Sequence, residues 1–345
     1  MSRIAIMGAG ALGCYIGAFF IREGMDVTFL DMWPEHVETM RRDGLRVSGS
    51  QGEFSVPAKA LHLTDAQGIN ELFDIAFIAV KSYDTEWATH FIKRYVKPDG
   101  YFVSAQNSMN DQAIASIVGY QRELGCIASH IEVALWEPGH VTRGGAVGRD
   151  HGHVVFRVGE MNGHISPRSQ EVAGWLDCID AAKATSNLWG ERWAKLAQNS
   201  IGNAVSAMSG LGSQGMAESP DARYVRIHIG KETVQVGKAL NYQIEEISGV
   251  DPDLWGAADD PDAFNELDEM LKGRGGRVDW RASMAQDVAK GRRSEVDYLN
   301  GLVAEKGREA GVATPVNRAT VDVMHDIDAG RATPNPALLD RLVQA

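Results

Sequence analysis

The sequence predicts an α/β protein, with an N-terminal parallel-sheet domain followed by a mainly α-helical C-terminal domain. In the first half, short apolar runs alternate with helix-like stretches, which is typical of parallel strands covered by helices. From Asn187 onward the pattern is amphipathic and helical. The length of 345 residues exceeds the roughly 250–300 that one core supports. We therefore expect two domains, residues 1–184 and 185–345.

The first elements form a β-α-β unit. Residues 3–8 are an apolar run that ends in glycine, which predicts a buried strand. A helix follows from Ala11 to Glu23, and Gly24 ends it as a C-cap. Asp26 to Leu30 predicts the second strand, with Asp31 at its end.

A glycine-rich turn connects the first strand to the first helix. Its residues, Gly8-Ala9-Gly10-Ala11-Leu12-Gly13, have the spacing G-x-G-x-x-G. In this context Gly8 permits a tight turn, Gly10 lets the backbone approach a pyrophosphate, and Gly13 lets helix and strand pack closely. The helix N-terminus adds free N–H groups and partial positive charge. The six residues predict a Rossmann-type dinucleotide-binding domain and a nucleotide contact.

Asp31 is the predicted cofactor discriminator. It lies 18 positions after Gly13, where an adenosine ribose would arrive. A carboxylate there accepts hydrogen bonds from ribose hydroxyls and repels a 2′-phosphate. The next Arg or Lys is Arg41. This predicts a preference for NAD(H), with NADP(H) possible. The alternative is that Asp31 caps the helix expected near residues 33–42.

The remaining chain completes the predicted plan. Two further buried strands are expected at Ile75–Val80 and Tyr101–Ser104. The glycine-punctuated segment 125–160 predicts an antiparallel extension at the sheet edge or a long hairpin. The glycine- and aspartate-rich segment 249–277 predicts a loop or short insertion. Helices are expected near residues 190–209, 220–247, 281–290, 294–311 and 315–328.

Composition argues against several classes of partner. The net charge of −12 disfavours nucleic acid and anionic lipid. The chain has no run of 18 apolar residues and no N-terminal secretory pattern, so we expect a cytoplasmic protein that does not associate with membranes. Three widely spaced cysteines predict reduced thiols. Five histidines between residues 130 and 164 lack metal-ligand spacing, so we expect no metal.

A second constellation lies on the helix expected at 190–209. Lys195, Asn199 and Asn203 are spaced i, i+4, i+8, which keeps them on one helix face. A cation and two amides would offer a substrate carbonyl one proton donor and two neutral hydrogen-bonding groups. The alternative is a polar face exposed to solvent.

Several motifs together resemble the ketopantoate reductase family over nearly the whole chain. They are, in family order, the glycine loop, Val80-Lys81-Ser82, Gln106-Asn107, Trp193-Ala194-Lys195-Leu196 with its two Asn, and the run Ser294-Glu295-Val296-Asp297-Tyr298-Leu299-Asn300-Gly301. The resemblance implies hydride transfer between nicotinamide and the 2-position of a 2-oxo or 2-hydroxy acid. It also implies a homodimer.

The resemblance further implies roles for single residues. Lys195 would be the general acid, with Glu295 positioning or tuning it. Asn199 and Asn203 would hold substrate hydroxyl and carbonyl groups, while Ser283 would bind the substrate carboxylate. Lys81 and Asn107 would lie near the nicotinamide ribose. Alternatively, Glu295 is a helix N-terminal charge and Ser283 a surface hydroxyl.

Three positions depart from the family pattern. Trp280, followed by Arg281, stands where an Asn is usual, and Ser213 replaces a second Asn. Asp31 replaces the basic residue that usually holds NADPH. We therefore predict an NAD(H)-linked enzyme for a bulkier 2-oxo or 2-hydroxy acid, with Trp280 and Arg281 at its substrate. The alternatives are a ketopantoate reductase of pantothenate synthesis and a non-catalytic NAD-binding sensor.

Overall fold

A computed structural model describes residues 2–275 and 281–344. The chain divides into two compact units, Met1–Leu188 and Trp189–Ala345. The first is an α/β unit and the second is helical, so the predicted fold class is confirmed. Trp280, which we expected near the substrate, lies outside the described residues.

The first unit consists of strands and helices in alternation. Its strands are β1 Arg3–Met7, β2 Asp26–Asp31, β3 Leu45–Gly49, β4 Phe54–Val56, β5 Lys59–His62, β6 Phe73–Ile78, β7 Val96–Ser104, β8 Glu123–Ala128, β9 Glu132–Glu137, β10 His140–Gly144, β11 Phe156–Gly159 and β12 Ala182–Thr185. Its helices are α1 Ala11–Arg22, α2 Pro34–Asp43, α3 Thr85–Lys93, α4 Asp111–Val118 and α5 Pro167–Leu176.

The main sheet has the strand order β12-β11-β8-β7-β6-β1-β2-β5. All neighbouring strands are parallel except β8 and β11. Alternate residues of β1 enter two different cores, Ile4 and Ile6 on one face and Ala5 and Met7 on the other. Burial on both faces explains why these strands are continuously apolar. The order reverses between β1 and β6, a switch point where such sheets bind ligands beyond the strand ends.

A second sheet, with the order β4-β3-β10-β9, packs on α1. The Phe19 ring of α1 meets Phe54 edge-on, with centroids 5.1 Å apart. The segment 125–160 therefore contains both predicted alternatives, because β9 and β10 form a hairpin and β11 runs antiparallel to β8. Our sequence analysis does not predict the parallel pairing of β3 with β10, which assigns the hairpin to a separate sheet.

The second unit is organised around a long buried helix. Its helices are α6 Leu188–Ser209, α7 Ser213–Glu218, α8 Pro220–Ala239, α9 Pro252–Gly256, α10 Pro261–Lys272, α11 Ser283–Ala289, α12 Asn300–Ala310, α13 Pro315–Asp328 and α14 Asp340–Val343. Helix α8 contacts α7, α9, α10, α12, α13 and α14. Of the helices in the described ranges, none is long and apolar enough to cross a bilayer.

Three sequence predictions for the second unit are wrong. Segment 249–277 contains α9 and α10 instead of a loop, because Asp251 and Asp260 each cap a helix that starts with proline. The helix predicted at 220–247 ends at Ala239. The helix predicted at 294–311 begins at Asn300, after a 3₁₀ turn.

Candidate active site

The glycine loop has the geometry that its spacing predicts. Gly8 has a φ of +100°, which residues with a side chain rarely adopt. A Cβ on Gly13 would lie 2.2 Å from the Gly8 carbonyl oxygen, so α1 and β1 approach too closely for any other residue. A Cβ on Gly10 would meet nothing within 4 Å. Gly10 is the N-cap of α1, and no side chain caps that helix. The loop therefore offers open space and helix N–H groups to an anion.

Asp31 holds the glycine loop. Its Oδ2 accepts a hydrogen bond from the Ala9 N–H at 2.8 Å, and its Oδ1 accepts one from the Trp33 N–H at 2.9 Å. The N-cap of α2 is Trp33, so Asp31 does not occupy the capping position of the alternative interpretation. A carboxylate oxygen has two lone pairs, and both oxygens retain capacity for a further donor.

The loop also contacts His36 and Cys14, two residues that the sequence analysis does not single out. The Nε2 atom of His36, in α2, lies 2.9 Å from the Ala9 carbonyl oxygen. Its Nδ1 accepts a hydrogen bond from the Gly139 N–H at 2.9 Å. Burial lowers the pKa of His36, and the Asp31 charge only partly offsets this. Burial raises the pKa of the Cys14 thiol well above its usual value, and that thiol donates to the Ala9 carbonyl.

Acidic residues hold the side chain of Arg41, the first Lys or Arg after Asp31. Arg41 donates to Glu38 at 2.7 Å, to Asp65, and to the Ala60 carbonyl oxygen at 2.7 Å. Two carboxylates therefore already compensate its charge. A 2′-phosphate would have to compete with them for this guanidinium.

Side-chain amides connect the loops that follow β6 and β7. Gln106 donates to the Val80 carbonyl at 2.8 Å and to the Thr85 hydroxyl at 2.9 Å. Lys81 and Asn107 lie half-buried within these two loops. Both loops stand at the carboxyl edge of the sheet. The first follows β6, which neighbours β1 and its glycine loop, and the second follows β7, which neighbours β6. Gln106 belongs to the family motif Gln106-Asn107, but nothing in the sequence indicates that its side chain connects the two loops.

In the second unit, α6 carries the predicted constellation. The helix spans Lys195, Asn199 and Asn203 without interruption. Lys195 Nζ donates to Gln198 Oε1 at 3.2 Å. Asn199 is only 6% exposed, and its amide nitrogen has no acceptor among the residues that the structure describes. A buried donor in that state is destabilising unless a ligand or water accepts its hydrogen bond.

The predicted substrate residues meet in part. The Asn203 amide donates to the Ser283 hydroxyl at 3.3 Å, which brings together two positions 80 residues apart. Ser283 is exposed at the start of α11. Glu295 is buried immediately before the 3₁₀ turn Val296–Tyr298. Arg281 is exposed, and its carbonyl accepts a hydrogen bond from Gln286 at 3.2 Å.

Comparison with known proteins gives a consistent family. The sequence matches the family description "Ketopantoate reductase PanE/ApbA" over residues 4–154 and "Ketopantoate reductase PanE/ApbA C terminal" over residues 187–328. A 2-dehydropantoate 2-reductase from Archaeoglobus fulgidus is 30% identical over 339 residues, which cover 96% of this chain and 99% of that protein.

Solved structures share the fold. A PanE/ApbA family ketopantoate reductase from Ralstonia eutropha JMP134 superposes with a TM-score of 0.77 and 24% identity, covering 95% of this chain and 99% of the other. D-mandelate dehydrogenase with NADH and anilino(oxo)acetate superposes with a TM-score of 0.79 and 19% identity, covering 95% and 98%. From the two family matches and the Archaeoglobus relative, the chain belongs to the ketopantoate reductase family of oxidoreductases.

Proposed function

We propose that the protein reduces a 2-oxo acid to a 2-hydroxy acid, with NADH as hydride donor and Lys195 as general acid. The observation that carries the proposal is the polar face of α6. It carries the ammonium group of Lys195, the unsatisfied amide of Asn199, and Asn203, which donates to Ser283 at the start of α11. Ketopantoate, which is 2-dehydropantoate, is the first substrate to test because the Archaeoglobus relative is named for it.

The residues of the first unit fit a dinucleotide. The N–H groups at the start of α1 and the open space at Gly10 would receive its pyrophosphate. Asp31 would accept hydrogen bonds from the adenosine ribose, and Lys81 and Asn107 would contact the nicotinamide ribose. When bound, the nicotinamide supplies or accepts the hydride.

The preference for NADH over NADPH rests on charge. Asp31 would repel a 2′-phosphate, and Arg41 is engaged by two carboxylates. Like charges about 4 Å apart repel by about 1 to 4 kcal/mol at effective dielectric constants from 80 down to 20. We therefore expect kcat/KM to be at least about fivefold higher with NADH, as steady-state assays of both cofactors would measure. Equal efficiency would contradict this part of the proposal.

Lys195 would supply the proton during reduction. Hydride addition builds negative charge on the carbonyl oxygen, and a nearby ammonium stabilises that charge and protonates it. Glu295 would position the lysine, while the amides of Asn199 and Asn203 would orient the substrate. Lys195→Ala should reduce kcat about 10²- to 10⁴-fold and leave the Kd of NADH nearly unchanged. Activity that survives this change would exclude Lys195 as the acid.

A bulkier substrate is the second candidate. The fold shared with D-mandelate dehydrogenase supports it, as do Trp280 and Ser213 at positions where the resemblance leads us to expect Asn. Comparing kcat/KM for ketopantoate with that for aromatic 2-oxo acids distinguishes the two candidates. A non-catalytic sensor would bind NADH and turn over none of these acids.

Assembly and location are further parts of the proposal. We expect a cytoplasmic homodimer, as the family resemblance implies. Light scattering after size-exclusion chromatography would give a mass near twice the 37.5 kDa of one chain. A mass equal to one chain across micromolar concentrations would contradict the expected dimer.

A further inference from the structure

We propose that His36 is a cofactor-positioning residue, which fixes the Ala9 carbonyl so that the glycine loop presents its next N–H group to the dinucleotide. The inference rests on the proposed binding of NADH. It concerns a residue that lies outside the G-x-G-x-x-G motif and does not itself contact the cofactor.

Two of the three polar contacts of the imidazole define its tautomer; the third is Cys14 Sγ, which lies 3.4 Å from Nε2. The Gly139 backbone N–H can only donate, so the His36 Nδ1 that it reaches at 2.9 Å must be unprotonated. The hydrogen of the neutral ring is therefore on Nε2, which donates to the Ala9 carbonyl oxygen at 2.9 Å. His36 has 0% exposure, so water does not compete for either bond.

These bonds orient the loop. The C=O of Ala9 and the N–H of Gly10 belong to one trans peptide and point in opposite directions. Once His36 and Cys14 hold the carbonyl on the buried side, the Gly10 N–H points away from them. The preceding N–H, that of Ala9, is fixed by Asp31 at 2.8 Å. Two consecutive peptide groups are thus held from opposite ends, which is the preorganisation that anion binding requires.

The imidazole is itself held firmly. The Trp33 ring stacks on it with centroids 5.2 Å apart and an interplanar angle of 23°. Its partner Gly139 lies in the β9–β10 turn with a φ of +70°, and a Cβ there would lie 2.6 Å from Thr39 Cγ2. The second sheet therefore supports the glycine loop through one side chain of α2.

Two substitutions of His36 by amide side chains distinguish its contact with Gly139 from its contact with Ala9. In His36→Asn the side-chain amide occupies the place of Nδ1 and can bond to Gly139, but it is too short to reach Ala9. In His36→Gln the amide nitrogen occupies the place of Nε2 and can donate to the Ala9 carbonyl. Both variants remain polar and hydrogen-bonded at one end, so both are expected to fold. His140→Asn is the matched control, because His140 bonds to Ser48 and Glu137 instead of the loop.

The experiment measures the Kd of NADH by fluorescence titration of the full chain, with kcat and both KM values from steady-state assays. We expect His36→Asn to raise the Kd and the KM of NADH about tenfold, with kcat and the KM of the 2-oxo acid within about twofold. His36→Gln and His140→Asn should stay within about threefold of the wild type. Equal Kd values for His36→Asn and His36→Gln would overturn the inference and leave the proposed function intact. Failure of the wild-type protein to bind NADH would overturn both.

Discussion

The contrast between Gly10 and Gly13 gives a sharp test of how the loop works. In Gly13→Ala the new Cβ would lie 2.2 Å from the Gly8 carbonyl oxygen, below the 3.0 Å that real contacts respect. The backbone must therefore yield by about 0.8 Å. Overpacking of this kind costs about 1 to 3 kcal/mol, and a rigid carbonyl favours the upper end. For a unit of this size we expect the Tm to fall by about 6 to 12 °C.

Gly10→Ala is the counterpart. Gly10 has a φ of −72° and a ψ of −173°, which alanine adopts without strain, and its Cβ would meet no atom within 4 Å. The free energy of unfolding should change by less than about 1 kcal/mol. The methyl group would occupy the space proposed for the pyrophosphate, so the Kd of NADH should rise at least about tenfold. Thermal unfolding and NADH titration of both variants measure the two effects. Equal losses of stability, or wild-type NADH affinity in Gly10→Ala, would refute the reasoning.

Two other predictions follow, one for the second unit and one for the first. Asn203→Ala and Ser283→Ala should each raise the KM of the 2-oxo acid without changing the Kd of NADH. Because the two groups share a hydrogen bond, the effect of the double variant on that KM, expressed as a free energy, should be smaller than the sum of the two single effects. Strict additivity would contradict that coupling. Burial alone would raise the pKa of Asp180, but hydrogen bonds from Arg143 and three backbone N–H groups lower it. Its ionised form therefore stabilises the fold above the ordinary pKa of 3.8, and this contribution is lost as the pH falls through the lowered value. Asp180→Asn removes the ion-pair partner of the buried Arg143 and should lower the free energy of unfolding by about 3 to 5 kcal/mol at pH 7 and by less at pH 3, as urea unfolding measures. An equal loss of unfolding free energy at both pH values would contradict the stabilising role of the ionised Asp180.

The sequence predicted what depends on local signals. The β-α-β unit and its glycine loop follow from an apolar run, three glycines at fixed spacing and a C-cap. The continuous helix through Lys195, Asn199 and Asn203 follows from periodicity alone. Both features need only residues close together in the chain, and the structure contains both.

Other features depend on distant partners or on signals that were outweighed. The second sheet pairs Arg46 with His140, and the flanking sequences carry no mark of that register. His36 is a single histidine in a helix, and its contact with Ala9 exists only in the fold. By contrast, Asp251-Pro252 and Asp260-Pro261 are local signals that indicate helix starts. The high glycine and aspartate content of that segment favours a loop, and the prediction gave that content more weight.

The bond between His36 and Gly139 joins residues 103 positions apart. Synthesis at about 5 to 20 residues per second therefore delivers Gly139 roughly 5 to 20 s after His36. During that interval β3 also lacks its parallel neighbour β10. A nascent chain that already contains β1, α1 and β2 consequently has the whole glycine motif without the hairpin that braces it. Competence to bind a nucleotide would then emerge only after the β9–β10 turn has been made.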